Sequence, residues 1–321
     1  MNAEKKQEML KELKERIGKK TGVPFTVAVI GAPGAGKSSF INTMITSITG
    51  NYRQWTKTGN FGEFDQTVTH CPTWIPRERY LSHQSLEEYN FPHFLDIAGI
   101  QDTDDEITGQ VLRLLLYGRI PSDVPLKDLA EDIRQRGTWL IEKRYPETPE
   151  CKKVDRIIFV ASAANSNLPL KLMQAVSKVL RKKRDIPIFG VLTMKDQKKQ
   201  TEQQNFEEFE TLFKRTLGLS HLNYLHCTNY CDDNVNEIRE RIRTHYPELD
   251  MPVLKFLIQV LDPALECTDF NRSARFSKTR LIEWWYEFAA TTRGINNFHL
   301  LLIIFVTSLI AATLAHLLFR A

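Results

Sequence analysis

A glycine-rich loop, Gly31 to Ser38, carries the residue types best suited to hold a phosphate. Its sequence matches the pattern G-x-x-x-x-G-K-S/T and stands between an apolar run and a helical pattern. In such a loop backbone N–H groups surround a phosphate, the lysine reaches the β- and γ-phosphates, and the serine hydroxyl can ligate Mg²⁺. We therefore predict nucleotide contacts from Gly31, Gly34, Ala35, Gly36, Lys37, Ser38 and Ser39.

The motif D-I-A-G, Asp96 to Gly99, is a second candidate for phosphate chemistry. A carboxylate in this position can hold Mg²⁺ through a water molecule, and the glycine N–H can contact the γ-phosphate. D-x-x-G is a weak pattern alone, but its order after the phosphate loop and its place after a strand favour a functional role. We predict that Ser38 and Asp96 bind the metal and that Lys37 and Gly99 act on the reacting phosphate.

The segment T-M-K-D, Thr193 to Asp196, is the candidate for reading the base. It follows the apolar run Ile186 to Leu192, and parallel sheets bind their ligands at the carboxyl ends of such strands. The Asp196 carboxylate can accept hydrogen bonds from the two N–H groups along one edge of guanine, a pair that adenine lacks. The motif therefore favours GTP, with Thr193, Lys195 and Asp196 as contacts; the alternative is a helix N-terminus after a strand.

These residues need strands that end side by side, and the chain provides a regular alternation of strand and helix patterns. Apolar strands that alternate with helical segments predict an α/β fold, a doubly wound and mostly parallel sheet with helices on both faces. A thin apolar stripe predicts a surface helix at the amino end. The strand patterns lie at 27–30, 94–95, 153–164 and 186–192, and the helix patterns at 1–20, 39–48 and 170–180.

Composition limits the classes of function. The 321 residues are 42% apolar and 26% charged, so the chain can bury a full core and is not disordered. The net charge of +4 is too small and dispersed for a nucleic-acid footprint, so we predict no nucleic-acid partner. An odd number of cysteines, 5, and no apolar signal at the amino end favour the reducing cytosol for the main domain.

The order phosphate loop, D-x-x-G, then T-x-x-D resembles guanine-nucleotide proteins of the Ras-like superclass. The stretches GAPGAGKSSFIN, LDIAGI, LLLYGRIPSDVPL, VDRIIFVASAA, VLTMKD and HCTNY resemble the interferon-induced protein 44 family, from about Phe25 to Asp262. GKSSFIN also resembles the immunity-related GTPases, and T-x-x-D the immunity-associated GTPases. The usual specificity motif has a lysine after its first residue, and Met194 stands in that place here.

The resemblance implies further site residues. Thr228 and Asn229, in HCTNY, match the loop that contacts guanine, and a switch threonine that ligates Mg²⁺ is expected among Thr67, Thr69 and Thr73. We prefer Thr69, in TVTHC, as metal ligand and catalytic group; all three also suit ordinary strands. Ile100 occupies the position of the glutamine that orients the attacking water, which predicts slow hydrolysis unless Gln101 or a partner such as a dimer mate completes the site.

The carboxyl end predicts a membrane anchor. Residues 300–319 carry no formal charge, and at about 1.5 Å per residue they span about 30 Å, the thickness of the hydrocarbon layer. Basic and aromatic residues precede the span, as at a cytosolic headgroup region. This predicts a tail-anchored protein, in the endoplasmic reticulum rather than the outer mitochondrial membrane; a buried C-terminal helix is the alternative.

The sequence thus predicts four segments: an N-terminal helix at 1–22, a P-loop GTPase domain at 23–262, a juxtamembrane helical segment at 263–297 and a transmembrane tail at 298–319. The predicted ligands are GTP or GDP with Mg²⁺, and the predicted partners are membrane lipid and a homodimer or oligomer mate. We expect a membrane-anchored GTP-binding switch or assembly GTPase with slow hydrolysis, in innate immunity by resemblance. The alternative is a nucleotide-locked or nucleotide-free membrane adaptor.

Overall fold

The computed structural model describes most of the chain up to Asp269, apart from several short internal segments. The described residues are 2–19, 24–57, 71–81, 85–97, 99–120, 124–146, 153–165, 167–194, 203–230, 246–265 and 268–269. Within these ranges no helix is both long and apolar enough to cross a bilayer. The predicted span at 300–319 lies outside them.

A six-stranded sheet forms the centre of the described structure, in the order β2-β3-β1-β4-β6-β7. Only β2, at one edge, is antiparallel to its neighbour, and the other pairings are parallel. This confirms the prediction of a mostly parallel sheet. The strands are β1 Thr26–Ile30, β2 Thr73–Ile75, β3 His93–Asp96, β4 Arg156–Ser162, β6 Ile188–Thr193 and β7 Tyr224–His226, while β5 Arg184–Asp185 pairs separately with β8 Thr268–Asp269.

Helices cover both faces of the sheet, as the alternating pattern predicts. One apolar cluster packs α1, α2 and α9 against one face, and a second packs α4 to α8 against the other. The helices are α1 Asn2–Ile17, α2 Lys37–Thr49, α3 Arg77–Leu81, α4 Glu106–Leu116, α5 Leu126–Arg136, α6 Thr138–Arg144, α7 Leu170–Lys183, α8 Gln203–Leu217 and α9 Pro247–Val260.

The apolar stripe of α1 joins the first cluster. Leu13 is fully buried, and Met9, Leu10 and Ile17 pack against the same core. The other face of α1 is charged and exposed, which confirms a surface helix held by a thin stripe.

The register of the central strands positions the candidate site. β1 lies between β3 and β4, with Val29 opposite Asp96 and Ile30 opposite Phe159. Because the strands are parallel, the residues that follow β1, β3 and β6 emerge at one edge of the sheet. The phosphate loop, the D-x-x-G motif and Thr193 are thereby brought to the same end of the molecule.

Candidate functional site

The loop between β1 and α2 needs glycine at three positions for two different reasons. Gly34 and Gly36 have φ angles of 71° and 81°, in the left-handed region that other residues rarely adopt. Gly31 approaches the sheet so closely that a Cβ atom there would lie 2.1 Å from the carbonyl oxygen of Val160. The loop therefore begins tightly against the carboxyl half of β4 and leads directly into α2.

Lys37 at the start of α2 is a buried cation, only 7% exposed. Its Nζ donates to the carbonyl oxygen of Ala32, 2.9 Å away, within the same loop. Burial lowers the pKa of Lys37 to about 8, although the negative charge of Asp96 acts to raise it. A phosphate beside Nζ would stabilise the ammonium form. Its negative charge would replace the stabilisation by water that the ammonium loses on burial.

An oxygen cluster lies next to this lysine. The Ser38 hydroxyl donates to Asp96 Oδ2 at 2.7 Å, and the Thr56 hydroxyl donates to the same oxygen at 2.5 Å. Asp96 is 6% exposed, and burial raises its pKa although both hydroxyl bonds and Lys37 oppose the rise. Carboxylate and hydroxyl oxygens suit a small hard cation, so the donor set fits Mg²⁺.

Thr56 is the member of this cluster that sequence reasoning missed. It belongs to no motif that we recognised, and only its position in the fold brings it to Asp96. Thr67 and Thr69, two of the predicted switch residues, lie outside the described residues. The third candidate, Thr73, is the first residue of β2, and its Cα pairs with that of Asp96 in the antiparallel register.

The chain after Asp96 lies on the phosphate loop. A Cβ atom on Gly99 would be 2.5 Å from both the backbone nitrogen and the Cα of Pro33, so only glycine fits here. The N–H of Ile100 donates to the carbonyl oxygen of Gly31 at 3.2 Å. Gln101 is exposed. The D-x-x-G motif and the phosphate loop are therefore in direct contact, as their predicted shared role requires.

Two of the predicted base-side residues contact the same loop from the other direction. Thr193 is fully buried, and its hydroxyl donates to the carbonyl oxygen of Ala35 at 2.8 Å. Asn229 Nδ2 donates to the carbonyl oxygen of Gly36 at 3.2 Å. Thr228 precedes it and is half-buried. Thr193 and Asn229 thus fix the carbonyl groups of Ala35 and Gly36, at the end of the loop that leads into α2.

The structure describes only some of the remaining residues predicted to contact the nucleotide. Lys195 and Asp196 lie outside the described residues. Met194 just before them has a φ of 59°, and its sulfur accepts a hydrogen bond from the Ser162 hydroxyl at 3.1 Å. Ser39 lies in the first turn of α2, where its carbonyl oxygen accepts a hydrogen bond from the Thr43 hydroxyl.

Comparison with known proteins gives one family match and several distant structural similarities. A family model described as 50S ribosome-binding GTPase matches residues 26–194, which is more than half of the 321 residues. No curated protein matches the chain.

Similar solved structures include Toc33 from Arabidopsis thaliana with GDP and Mg²⁺, at 14% identity and a TM-score of 0.43 over 81% of this chain and 92% of that chain. Toc33 with Mg²⁺ and GMPPNP has 14% identity and a TM-score of 0.44 over 82% and 95%. The small COPII coat GTPase SAR1 from Encephalitozoon cuniculi with GDP has 10% identity and a TM-score of 0.35 over 81% and 88%.

Proposed function

Because the chain belongs to the 50S ribosome-binding GTPase family, we propose that it binds GTP and GDP with Mg²⁺, hydrolyses GTP slowly and acts as a nucleotide-controlled switch. The observation that carries this proposal is the arrangement of Lys37, Ser38 and Asp96 at one end of the sheet. The buried Lys37 ammonium lies beside carboxylate and hydroxyl oxygens of the kind that ligate Mg²⁺. The ammonium can bind the phosphate chain of a nucleotide, and the oxygens can bind the cation that accompanies it.

Each group has a distinct part in the proposed binding. The Lys37 ammonium attracts the β- and γ-phosphates, and the loop N–H groups at the start of α2 add partial positive charge. Ser38, Asp96 and Thr56 would hold Mg²⁺ through their oxygens. When bound, the cation neutralises charge on the phosphate oxygens. Asp196 is proposed to select guanine, because a carboxylate accepts both N–H groups of its Watson–Crick edge.

Slow hydrolysis is proposed because no side chain suited to orient water follows Gly99 directly. Ile100 is apolar and packs against the second core cluster, and Gln101 after it is exposed. A partner protein or a second copy of the chain would then complete the site. The second candidate function is a membrane adaptor whose domain keeps one nucleotide or none.

Nucleotide content separates the two candidates. The purified protein is denatured, and the released nucleotide is identified by chromatography, beside a Lys37→Ala variant. The switch predicts GDP or GTP in the unaltered protein, loss of that nucleotide in Lys37→Ala, and exchange with added GTP. Protein that folds normally but is empty and does not bind Mg²⁺-GTP in calorimetry would favour the adaptor.

We further propose that residues 298–319 anchor the chain in a membrane, with the endoplasmic reticulum preferred over the outer mitochondrial membrane. The support is the uncharged stretch at 300–319. Ile310→Arg, near its middle, should weaken insertion by about 2.5–3.5 kcal/mol, and an arginine added after Ala321 should not. Carbonate extraction tests this, and recovery of the intact chain in the soluble fraction would contradict it. An innate immune role rests on the resemblance to the interferon-induced protein 44 family.

A further inference from the structure

We infer that Asn42 is a positioning residue that holds Thr56 at the metal site before the metal binds. The inference rests on the proposed Mg²⁺ binding and extends it to a residue that is not among the proposed ligands of the metal or the nucleotide. Asn42 lies in α2 and is fully buried. A buried amide side chain is costly unless its polar atoms are paired, so the groups that it contacts indicate its role.

The contacts of Asn42 are directed at the backbone around Thr56. Its Oδ1 accepts from the N–H of Trp55 at 2.9 Å and from the N–H of Thr56 at 3.1 Å. Its Nδ2 donates to the carbonyl oxygen of Thr56 at 3.1 Å. Both backbone polar groups of Thr56 are therefore fixed by one side chain, much as a neighbouring strand would fix them.

This attachment explains how the Thr56 hydroxyl reaches Asp96. Ser38 and Asn42 are four residues apart on α2, so their side chains leave the same face of the helix. Ser38 reaches Asp96 Oδ2 directly, whereas Asn42, one turn later, holds the peptide whose hydroxyl reaches that same oxygen. One rigid helix thus sets the positions of both hydroxyls relative to the carboxylate.

Ring contacts hold the Trp55 side chain of this segment. The Trp55 ring packs edge-on against Tyr80 with centroids 6.5 Å apart, and the Arg53 guanidinium lies 5.0 Å from the centre of the Trp55 ring. These ring contacts hold the segment near the core, whereas the three Asn42 hydrogen bonds hold the peptide groups at Trp55 and Thr56. Asn42 therefore positions the backbone from which the Thr56 hydroxyl reaches Asp96.

The first test measures the Mg²⁺ dependence of GDP binding in the full-length protein. Release of a fluorescent GDP analogue is followed while free Mg²⁺ is varied with a chelating buffer. Asn42→Ala and Thr56→Ala should each raise the Mg²⁺ concentration needed for half-maximal retention about tenfold or more, the usual effect of losing an outer-sphere partner or a ligand. The double variant should be no worse than Thr56→Ala, because both changes remove the same oxygen.

The second test is independent of the metal. Hydrogen exchange in the nucleotide-free protein should show protected N–H groups at Trp55 and Thr56. Asn42→Ala should remove this protection. Thr56→Ala should keep it, since the backbone N–H groups of residues 55 and 56 still donate to Asn42 in that variant. Asn42→Asp keeps the acceptor oxygen and loses the Nδ2 donor, so its hydrogen-exchange protection should lie between those of Asn42→Ala and Thr56→Ala. Asn42→Asp takes the place of Asn42→Ala in both tests if the alanine variant does not fold.

Asn51→Ala is the matched control, because it removes the same amide from an exposed position in the same segment. It should change neither Mg²⁺ dependence nor exchange at residues 55–56. Unchanged Mg²⁺ dependence in both Asn42 variants, with a clear loss in Thr56→Ala, would overturn the inference and leave the proposed function intact. Failure of the unaltered protein to retain GDP at any Mg²⁺ concentration would overturn both.

Discussion

The buried carboxylate of Asp250 gives a sharp test of how the N-terminal helix is attached. Asp250, on α9, is fully buried, and Lys6 of α1 donates to its Oδ2 at 2.6 Å. The hydroxyls of Ser47 and Tyr230 donate to its other oxygen at 2.9 Å and 3.0 Å. Four separate segments therefore meet at one charge. Tyr230 directly follows Asn229, so this cluster also supports the loop that contacts Gly36.

Lys6→Met should destabilise the protein by about 3 kcal/mol. Removing one partner of a buried ion pair costs about 3–5 kcal/mol, because the remaining charge is left uncompensated. The two hydroxyl donors that stay beside Asp250 place the expected loss at the lower end of this range. Adding Asp250→Asn removes the charge and keeps an acceptor for both hydroxyls, so the double variant should recover about 1–2 kcal/mol of this loss.

A second ion pair between the ends of the same helices is the control. Arg16 of α1 contacts Asp262, just after α9, at 2.7 Å, but the two side chains are 35% and 25% exposed. Arg16→Met should therefore cost only about 0–1 kcal/mol, the usual value for an exposed pair. Urea denaturation in mild detergent, followed by circular dichroism, measures all variants. Equal small losses in Lys6→Met and Arg16→Met, or no recovery in the double variant, would refute the argument from burial.

Three shorter predictions concern the site itself. Gly31→Ala should prevent normal folding, because its Cβ would lie 2.1 Å from the Val160 carbonyl oxygen, and expression with circular dichroism would detect this. Gly99→Ala should keep the fold but move its loop away from Pro33, because a Cβ atom would lie 2.5 Å from that residue. Calorimetry should then show that the substitution weakens Mg²⁺-GTP binding more than Mg²⁺-GDP binding. Asp196→Asn should shift preference from GTP to xanthosine triphosphate in competition binding, since an amide N–H suits the 2-oxo group of xanthine; full GTP preference would assign base reading elsewhere.

Local features of the site follow from the sequence because their physical causes are local. The phosphate loop needs glycines that permit left-handed φ angles and a helix that begins at once, and eight consecutive residues supply both. Strand and helix periodicity, with the order of the motifs, is enough to predict a parallel sheet that brings Ser38 and Asp96 together. The roles assigned to Thr69, Lys195 and Asp196 stay predictions, since these residues lie outside the described ranges.

Other features depend on partners far apart in the chain, and only the tertiary structure decides them. Thr56 reaches Asp96 because the Asn42 side chain fixes its peptide, and no periodicity or motif encodes the path of that irregular segment. Lys6 and Asp250 are 244 positions apart, so their pairing depends on how α1 and α9 pack. A short motif carries its own backbone geometry, whereas a contact between distant side chains exists only once the whole core has placed the elements that bear them.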